Sequence, residues 1–329
     1  SKRKRGGPRL SEATLFRSNA AIIRDGLERI NSGEKVVLAT VVSTWGSSPR
    51  PTGSVMILTE TGYFAGSVSG GCIEEELFAV IRDDFPSECR LIEYDADTTK
   101  SLPCGGRLQL VIEPLSSLDN PEGLVDSLNA GESLERVIDI SNSSSTWALV
   151  TEDKGTPPSN SRFVISYDPA WRVLIVGFGD LGRHVCSFAQ MLDYKVSVCE
   201  PREEYRHLDS VSPITINTSY PDDFIRNSIC DEQTAVLALT HDPKVDDLAV
   251  LEAIDTKSFY IGALGSKRTA EKRNQRLEEH FGFSSTQISR IKGPIGLDLR
   301  TRKVNEIALA VMTDVTACRN RVRIGTNRI

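Results

Sequence analysis

The first half of the chain alternates short apolar runs with turn-forming residues. Apolar side chains recur at helical spacing between Ser11 and Ile30, which predicts a helix that ends at Ser32-Gly33. The β-branched run Lys35–Val42 predicts a buried strand, and Cys72–Arg82 returns to helical periodicity. Further strands are predicted at Ser54–Leu58, Tyr63–Ser67, Arg90–Tyr94 and Arg107–Glu113. Together these elements predict an α/β domain with a mixed sheet.

The pattern weakens between Leu115 and Trp171, where turn formers cluster. Three short apolar segments in this stretch predict edge strands, at Val137–Ile140, Trp147–Val150 and Phe163–Ser166. We place the connection between two domains near Asp168-Pro169.

The second half alternates strand and helix. Five short, apolar and β-branched segments predict strands, at Arg172–Val176, Lys195–Cys199, Ile214–Ile216, Ala235–Leu239 and Phe259–Ile261. Helical stretches separate them, and a last helix is predicted at about Val304–Arg319. This alternation predicts a doubly wound, parallel, Rossmann-like sheet.

Length and composition limit the classes of protein to which the chain can belong. Its 329 residues suggest two domains, and its net charge of -6 argues against a general nucleic-acid role. No apolar run approaches the roughly 20 residues that span a bilayer, so we expect no membrane segment. The seven cysteines form no CxxC pair and fit a reducing cytoplasm better than a disulfide framework.

These observations predict three segments. Residues 1–15 form a basic, disordered tail, because Ser1–Arg9 is rich in Lys and Arg and has no apolar stretch behind it. Residues 16–168 form an N-terminal domain with its connecting segment, and residues 169–329 form the Rossmann-like domain.

A glycine-rich turn opens the second domain. Gly177, Gly179 and Gly182 follow a predicted strand directly and start a helix, which is the context of a nucleotide-binding fingerprint. The first glycine allows the turn, the second lets a phosphate approach, and the third lets helix and strand pack. Glu200 follows the next strand, where a carboxylate can accept hydrogen bonds from ribose hydroxyls. The turn therefore binds a pterin phosphate or a dinucleotide such as NAD(P), or its glycines serve packing alone.

His241 and Asp242 come just beyond the fourth strand of this domain. Ligands bind at the carboxyl ends of such strands, so His241 is a candidate for acid–base chemistry or ligand contact, with Asp242 orienting its ring. The alternative is a helix-capping aspartate beside a surface histidine. An NAD(P)-dependent oxidoreductase is thus a second function class, although no hydride-transfer partner other than His241 is evident.

Two glycine-rich loops of the first domain suit an anionic ligand. The loop Gly46–Gly53 carries Arg50, whose guanidinium suits a bidentate phosphate contact. The loop Gly66–Cys72 joins a predicted strand to a helix, so its backbone N–H groups should converge on a ligand. The candidate contacts in this second loop are Ser69, Gly70, Gly71 and Cys72.

Cys72 is the strongest chemical candidate of the first domain. At a helix N-terminus the dipole favours a thiolate, which could act on a soft metal or on sulfur. The alternative is a small buried hydrophobe, as most free cysteines are. Glu74–Glu76 follow, and carboxylates in a first turn also stabilise the helix. Cys104 lies beside a second Gly-Gly pair and could lie across the same ligand or be unrelated.

The order of these motifs resembles the XdhC/CoxI family. Gly46–Gly53 and Gly66–Glu74 look like the N-terminal signature of that family, and Cys104-Gly105-Gly106 with Glu113-Pro114 is similar to its next block. The second half carries further blocks in the order of the family, at Thr240-His241-Asp242, Tyr260–Arg268 and Pro294–Asp298. The chain departs from the family at Pro103, where a glycine is common. The resemblance extends over most of the chain, so it is far more specific than one glycine-rich turn.

The resemblance implies a non-enzymatic chaperone that binds the molybdopterin form of the molybdenum cofactor and shields it from oxidation. It implies two partners, a cysteine-desulfurase-like sulfurase and the molybdenum subunit of a xanthine-dehydrogenase-type enzyme, and we expect a homodimer. Cys72 is the residue expected to contact the molybdenum or its sulfur ligand, because a soft thiolate suits a sulfur-ligated metal.

Overall fold

A computed structural model of the chain describes residues 18–46, 50–95, 106–130, 132–150, 161–167, 171–205 and 214–321. The chain divides into two compact units, Ser1–Ala170 (unit 1) and Trp171–Ile329 (unit 2). The predicted tail at residues 1–15, the predicted contact Cys104 and the predicted connection Asp168-Pro169 lie outside the described residues.

The described part of unit 1 combines helices with two sheets. Its elements are α1 (Asn19–Asn31), β1 (Val36–Trp45), β2 (Val55–Thr59), β3 (Phe64–Gly66), α2 (Glu74–Asp83), β4 (Arg90–Tyr94), β5 (Arg107–Pro114), α3 (Pro121–Ala130), β6 (Leu134–Asp139), β7 (Ser144–Leu149) and β8 (Arg162–Tyr167). One sheet has the order β3-β2-β1-β5-β4 and the other the order β7-β6-β8.

The α/β class is confirmed, with one correction in this unit. Every described strand pairing is antiparallel, where a mixed sheet was predicted. The connections from β1 to β2 and from β2 to β3 are too short for the crossover that a parallel pair needs. The segment predicted as an edge strand at Val137–Ile140 overlaps β6, which is the central strand of the small sheet.

Strand β1 is mostly apolar from Val36 to Val42, with Thr40 as the exception, because both faces of this part are covered. Val36 and Leu38 belong to the core that contains residues of α1, whereas Val37 and Ala39 belong to the core that contains residues of α2. Successive side chains of a strand point to opposite faces, so a strand between two cores is a continuous apolar run.

A buried ion pair links the two sheets of unit 1. Arg136 on β6 and Glu113 on β5 have no exposed surface, and the guanidinium donates to the carboxylate. The guanidinium also donates to the hydroxyl oxygens of Thr40 on β1 and Ser145 on β7, both at 3.0 Å. Charges at this depth are tolerated only when they are paired and hydrogen-bonded, so these four residues fix how the sheets meet.

The described part of unit 2 is a Rossmann-like sheet with helices on both faces, as predicted. Its elements are β9 (Arg172–Val176), α4 (Asp180–Met191), β10 (Lys195–Cys199), β11 (Ile216–Asn217), α5 (Pro221–Arg226), β12 (Thr234–Ala238), α6 (Pro243–Ala253), β13 (Tyr260–Ala263), α7 (Lys267–Phe281), α8 (Ser285–Ile288), β14 (Ile291–Lys292) and α9 (Val304–Arg319). The strands are parallel in the order β11-β10-β9-β12-β13-β14. The strand order reverses between β9 and β12, and ligands of such sheets bind at that point.

Among the described residues of both units, no helix is long and apolar enough to cross a bilayer.

Replacing Arg136 by Met should leave the Glu113 carboxylate buried without its partner. We expect the free energy of unfolding to fall by about 3–5 kcal/mol. The double variant Arg136→Met, Glu113→Leu should recover much of this loss, because apolar groups of similar volume often replace a buried pair without cost. Urea unfolding followed by circular dichroism measures both variants.

The control is Arg24→Met, which removes an exposed partner of Asp126 and should change stability little, since exposed pairs contribute little. Equal losses in the single and double variants of the buried pair would contradict the prediction.

Candidate functional site

The loop Gly66–Cys72 closes around the carboxylate of Glu74, the first residue of α2. The carboxylate accepts hydrogen bonds from the backbone N–H groups of Ser69 and Gly71 at 3.0 Å and of Ile73 at 3.1 Å, and from the hydroxyls of Ser67 and Ser69. Glu74 is only 9% exposed. The loop is therefore folded on an anion that the chain itself supplies.

This geometry corrects the prediction that the amides of the loop are open to a phosphate. The N–H groups of Ser69 and Gly71 donate to Glu74, and Ser69 is also fully buried. In this structure these two amides and the side chain of Ser69 are therefore not available to a ligand. Burial alone would raise the pKa of Glu74, but the hydrogen bonds from Ser67 and Ser69 outweigh it and the pKa is lowered. The residue is thus a carboxylate at neutral pH.

The loop presents Cys72 at an exposed tip. Gly70 and Gly71 have φ angles of 78° and 113°, a backbone region that glycine adopts without strain, and both are exposed. The N–H of Cys72 donates to the hydroxyl oxygen of Ser69 at 3.0 Å, while the residue itself is exposed. The helix was predicted to start at Cys72, but it begins at Glu74, so Cys72 precedes it.

The register of the five-stranded sheet shows that the loop with Arg50 and the loop with Cys72 leave the same end of this sheet. β1 ends at Trp45, opposite Arg107, which is the first residue of β5. β3 ends at Gly66, beside the beginning of β2. The loop that carries the half-buried Arg50 joins β1 to β2 at this same end. The predicted contact Cys104 lies in the segment before β5, outside the described residues.

Two of the three glycines in the Rossmann turn are required by the fold. A Cβ at Gly177, which has a φ of 106°, would lie 2.9 Å from the backbone of Thr240. A Cβ at Gly182 would lie 2.0 Å from the carbonyl oxygen of Gly177. Gly179 differs, because it has a φ of -67° and the atom nearest to a Cβ there is in the ring of Tyr205, at 3.7 Å. Of these three glycines, Gly179 is therefore the one that packing does not require, and the space beside its backbone is open.

Glu200 is engaged within the protein. It is fully buried, and its carboxylate accepts hydrogen bonds from the N–H of Phe178 at 2.6 Å and from the guanidinium of Arg202 at 2.8 Å. Arg202 also donates to the carbonyl oxygen of Thr240 at 2.8 Å. This corrects the prediction of a ribose contact, because the carboxylate binds the loop that follows β9 and, through Arg202, the loop that follows β12, and it presents no surface to a ligand.

Asp242 caps α6, since its carboxylate accepts from the N–H of Lys244 at 2.9 Å. The capping alternative is therefore the observed one. His241 is exposed and has a φ of 64°, which is uncommon for a residue with a side chain. The preceding Thr240 is held by Asp246, whose carboxylate accepts from its N–H at 3.0 Å and its hydroxyl at 2.7 Å.

The roles of Glu74, Arg202 and Asp246 were not predicted from the sequence. Each is a charged residue whose partner is a loop or a strand end, and a local pattern does not show which way its side chain turns. Within the described ranges, no group of three or more His, Cys, Asp and Glu side chains is placed to hold a metal ion.

Comparison with known families decides the relationship. Residues 29–95 match the model of the XdhC and CoxI family, and residues 173–315 match the model of the XdhC Rossmann domain. The chain belongs to the XdhC and CoxI family. The resemblance drawn from its motifs is thereby confirmed, and the loop before α2 and the Rossmann turn each fall within a matched range.

Relatives in this family are similar over nearly their whole length. The molybdenum cofactor insertion chaperone PaoD of Escherichia coli (strain K12) is 28% identical over 313 residues, which are 94% of this chain and 91% of that protein. A protein of Bacillus subtilis (strain 168), described as a probable xanthine dehydrogenase subunit, is 25% identical over 327 residues, which are 88% of this chain and 95% of that protein.

A solved structure shares the fold. A crystal structure from Bacillus halodurans, described as a xanthine dehydrogenase, superposes with a TM-score of 0.72 at 23% identity, covering 93% of this chain and 97% of that one.

Replacing Glu74 by Gln should loosen the exposed tip of this XdhC and CoxI family member. The variant keeps the shape of the side chain but removes the charge, and hydrogen bonds to a charged acceptor are the stronger ones. We expect the amides of Ser69 and Gly71 to exchange hydrogen at least about tenfold faster, which corresponds to about 1.4 kcal/mol. Hydrogen exchange read by NMR or mass spectrometry measures this.

The control is Glu75→Gln, an exposed residue of the same helical turn, which should leave these amides unchanged. Because the pKa of Glu74 is lowered in the folded protein, its stabilisation is complete above about pH 4.3, the pKa of an unfolded glutamate, and is lost as the pH falls through the lower folded value. Equal acceleration in both variants would contradict the assignment.

Replacement by alanine should change stability little at Gly179 and lower it clearly at Gly182. Gly179→Ala has an allowed backbone and no close neighbour, so we expect a change in stability within about 0.5 kcal/mol. Gly182→Ala places its Cβ against a carbonyl oxygen and should cost about 1–3 kcal/mol or more. Thermal unfolding of the two variants tests this, and a similar loss in both would show that Gly179 is also required for packing.

Proposed function

We propose that this protein binds the molybdenum cofactor as cargo and inserts it into a xanthine-dehydrogenase-type enzyme. Membership of the XdhC and CoxI family supports this, as does the similarity to PaoD, which is a molybdenum cofactor insertion chaperone. In finer detail, the protein shields the cofactor from oxidation, supports its sulfuration by a cysteine-desulfurase-like partner, and then delivers it to the acceptor. We also propose that it acts as a homodimer in the cytoplasm.

The observation that supports the proposal is the exposed Cys72 on a loop that the carboxylate of Glu74 holds by hydrogen bonds. The other free cysteines of the described residues, Cys89, Cys186, Cys199, Cys230 and Cys318, are buried or half-buried. Burial raises the pKa of the Cys186 thiol to about 11 and of the Cys199 thiol to about 12, so these two are poor thiolate donors. Cys72 is thus the described cysteine best suited to contact a metal centre from outside.

The chemistry of Cys72 fits a transient ligand of a sulfur-ligated molybdenum. A thiolate is a soft donor, and soft metals and sulfur-rich centres favour it. A single protein ligand on an exposed loop leaves the remaining positions of the metal to the cofactor, so an acceptor enzyme can take the cargo without dismantling a closed site. The carboxylate of Glu74 keeps the loop in shape while the thiol is free or occupied.

The residue that most favoured dinucleotide binding, Glu200, is not open to a ligand in this structure. An NAD(P)-dependent oxidoreductase was suggested by the Rossmann turn together with Glu200, and Glu200 is buried and hydrogen-bonded to Phe178 and Arg202. The open backbone at Gly179 is the feature that still favours a nucleotide. For this reason dinucleotides belong in the same binding experiment.

Replacing Cys72 by Ala should weaken binding of the molybdenum cofactor. We expect Kd to rise at least about tenfold, since a metal contact worth about 1.4 kcal/mol or more is removed. The measurement is an anaerobic titration with cofactor released from a molybdoenzyme, with NADH and NADPH titrated in parallel. Cys230→Ala, which changes a half-buried cysteine of unit 2, is the matched control and should bind as the wild type does.

Equal binding by the wild type and Cys72→Ala would remove the ligand role from Cys72. Dinucleotide binding without cofactor binding would overturn the chaperone proposal itself. The shielding proposal is tested separately: bound cofactor should lose activity in air several times more slowly than free cofactor, and equal rates would contradict it.

A further inference from the structure

The beginning of α7 carries charges that a helix by itself does not favour there. Lys267 and Arg268 are its first two residues, both are exposed, and its first turn contains no acidic residue. The N-terminal end of a helix has a partial positive charge, so carboxylates stabilise it and bases do not. The stability of α7 therefore does not explain two bases at this position.

The backbone at the same position has donors to spare. The N–H groups of Gly265, Ser266, Lys267 and Arg268 donate to no acceptor within the part of the chain that the structure describes. The capping hydroxyl of Ser266 accepts from the N–H of Thr269 instead, at 3.2 Å. The loop before α2 is filled by a carboxylate of the chain, whereas these four amides face no such group.

A buried guanidinium lies beside these amides. Arg273 is only 1% exposed, and its Nη2 donates to the carbonyl oxygen of Leu264 at 3.3 Å, while its Nε donates to Asp247 at 2.8 Å. Leu264 directly precedes Gly265, so the side chain reaches back to the beginning of its own helix, as long helical side chains do. The carboxylate of Asp247 is shared with Arg276 and balances only one of the two guanidinium charges.

The remaining nitrogen of this guanidinium has no partner. Nη1 of Arg273 is buried and has no hydrogen-bond acceptor among the described residues. A Cβ at Gly293 would lie 3.8 Å from Nη1 and 3.1 Å from the Cβ of Ala270, so Nη1 lies between the first turns of α7 and the loop that follows β14. Ile291 of β14 and Leu277 of α7 share one core, which places this loop and the helix on the same face of the sheet.

This position is one where an unpaired donor indicates a ligand. The strands β13 and β14 are parallel, so the loops that follow them lie at the carboxyl end of the sheet, where ligands of such sheets bind. Leaving a buried, charged donor without an acceptor is costly, and native structures usually satisfy such a group with a partner, a water or a ligand.

We infer that the beginning of α7 binds the phosphate group of a small-molecule ligand. The amides of residues 265–268 donate to its oxygens, Lys267 and Arg268 pair with its charge, and Nη1 of Arg273 donates from the protein side. Free amides at a helix start and charge-assisted hydrogen bonds are the usual means of holding a phosphate. A free phosphate ester such as a nucleotide and the molybdenum cofactor both carry this group. The inference concerns unit 2 and does not rest on the proposed function.

The test titrates inorganic phosphate into the full chain and follows the amides of residues 265–268 by NMR. Lys267→Pro removes one of these amides and keeps the helix, because proline suits the first helical position and Ser266, with a ψ of 167°, suits the residue before a proline. Lys267→Gln removes the same charge but keeps the amide. We expect Lys267→Pro to raise Kd at least about tenfold above that of Lys267→Gln.

The buried guanidinium is tested by Arg273→Met. We expect this variant to raise Kd for phosphate at least about tenfold, because a hydrogen bond from a charged donor is lost. Lys272→Gln, which removes an exposed base from the same helix, is the matched control and should bind as the wild type does. If Arg273→Met does not fold, the comparison of the two Lys267 variants decides alone.

The source of the phosphate is read by displacement. Loss of the phosphate-induced shifts on adding adenosine triphosphate assigns the site to a free phosphate ester, and loss on adding molybdenum cofactor assigns it to the cargo. Displacement by neither would leave a site for the inorganic ion only and overturn the inference. Unshifted amides in the wild type, or equal Kd values for Lys267→Pro and Lys267→Gln, would also overturn it.

Discussion

The loops that carry the candidate contacts in both units depend on carboxylates that the chain itself supplies. Glu74 accepts the amides of the loop before α2, Glu200 accepts the amide of Phe178 in the Rossmann turn, and Asp246 accepts the amide and hydroxyl of Thr240. Tight turns leave backbone N–H groups without partners, and burying them unpaired would be costly. An ionised acceptor satisfies several donors at once, and those donors in turn make burial of its charge tolerable.

This constraint decides what remains for a ligand. Carboxylates already accept the amides of Ser69, Gly71 and Phe178, so the groups that these loops still offer include the thiol of Cys72, the half-buried backbone of Gly179 and the exposed His241. The same carboxylates keep these groups in defined positions.

Much of the fold could be predicted because periodicity reports which faces are buried. The bounds predicted for β4, β9, β10 and α9 agree with the structure, since each of these elements has a clear period or apolar run. Helix α3 was not predicted, because its proline and glycine interrupt the helical pattern. The antiparallel order of unit 1 was also missed, since strands buried on both faces are equally apolar in parallel and antiparallel sheets.

The sequence by itself determined the family, the two-part α/β class and the glycines that turns require, because spacing and residue type report local conformation directly. Only the tertiary structure decided the partners of the charged side chains. Arg136 meets Glu113 from 23 residues away, and Glu200 reaches back 22 residues to the amide of Phe178. Such pairs depend on which strands become neighbours, and this follows from the packing of the whole sheet and not from any local pattern.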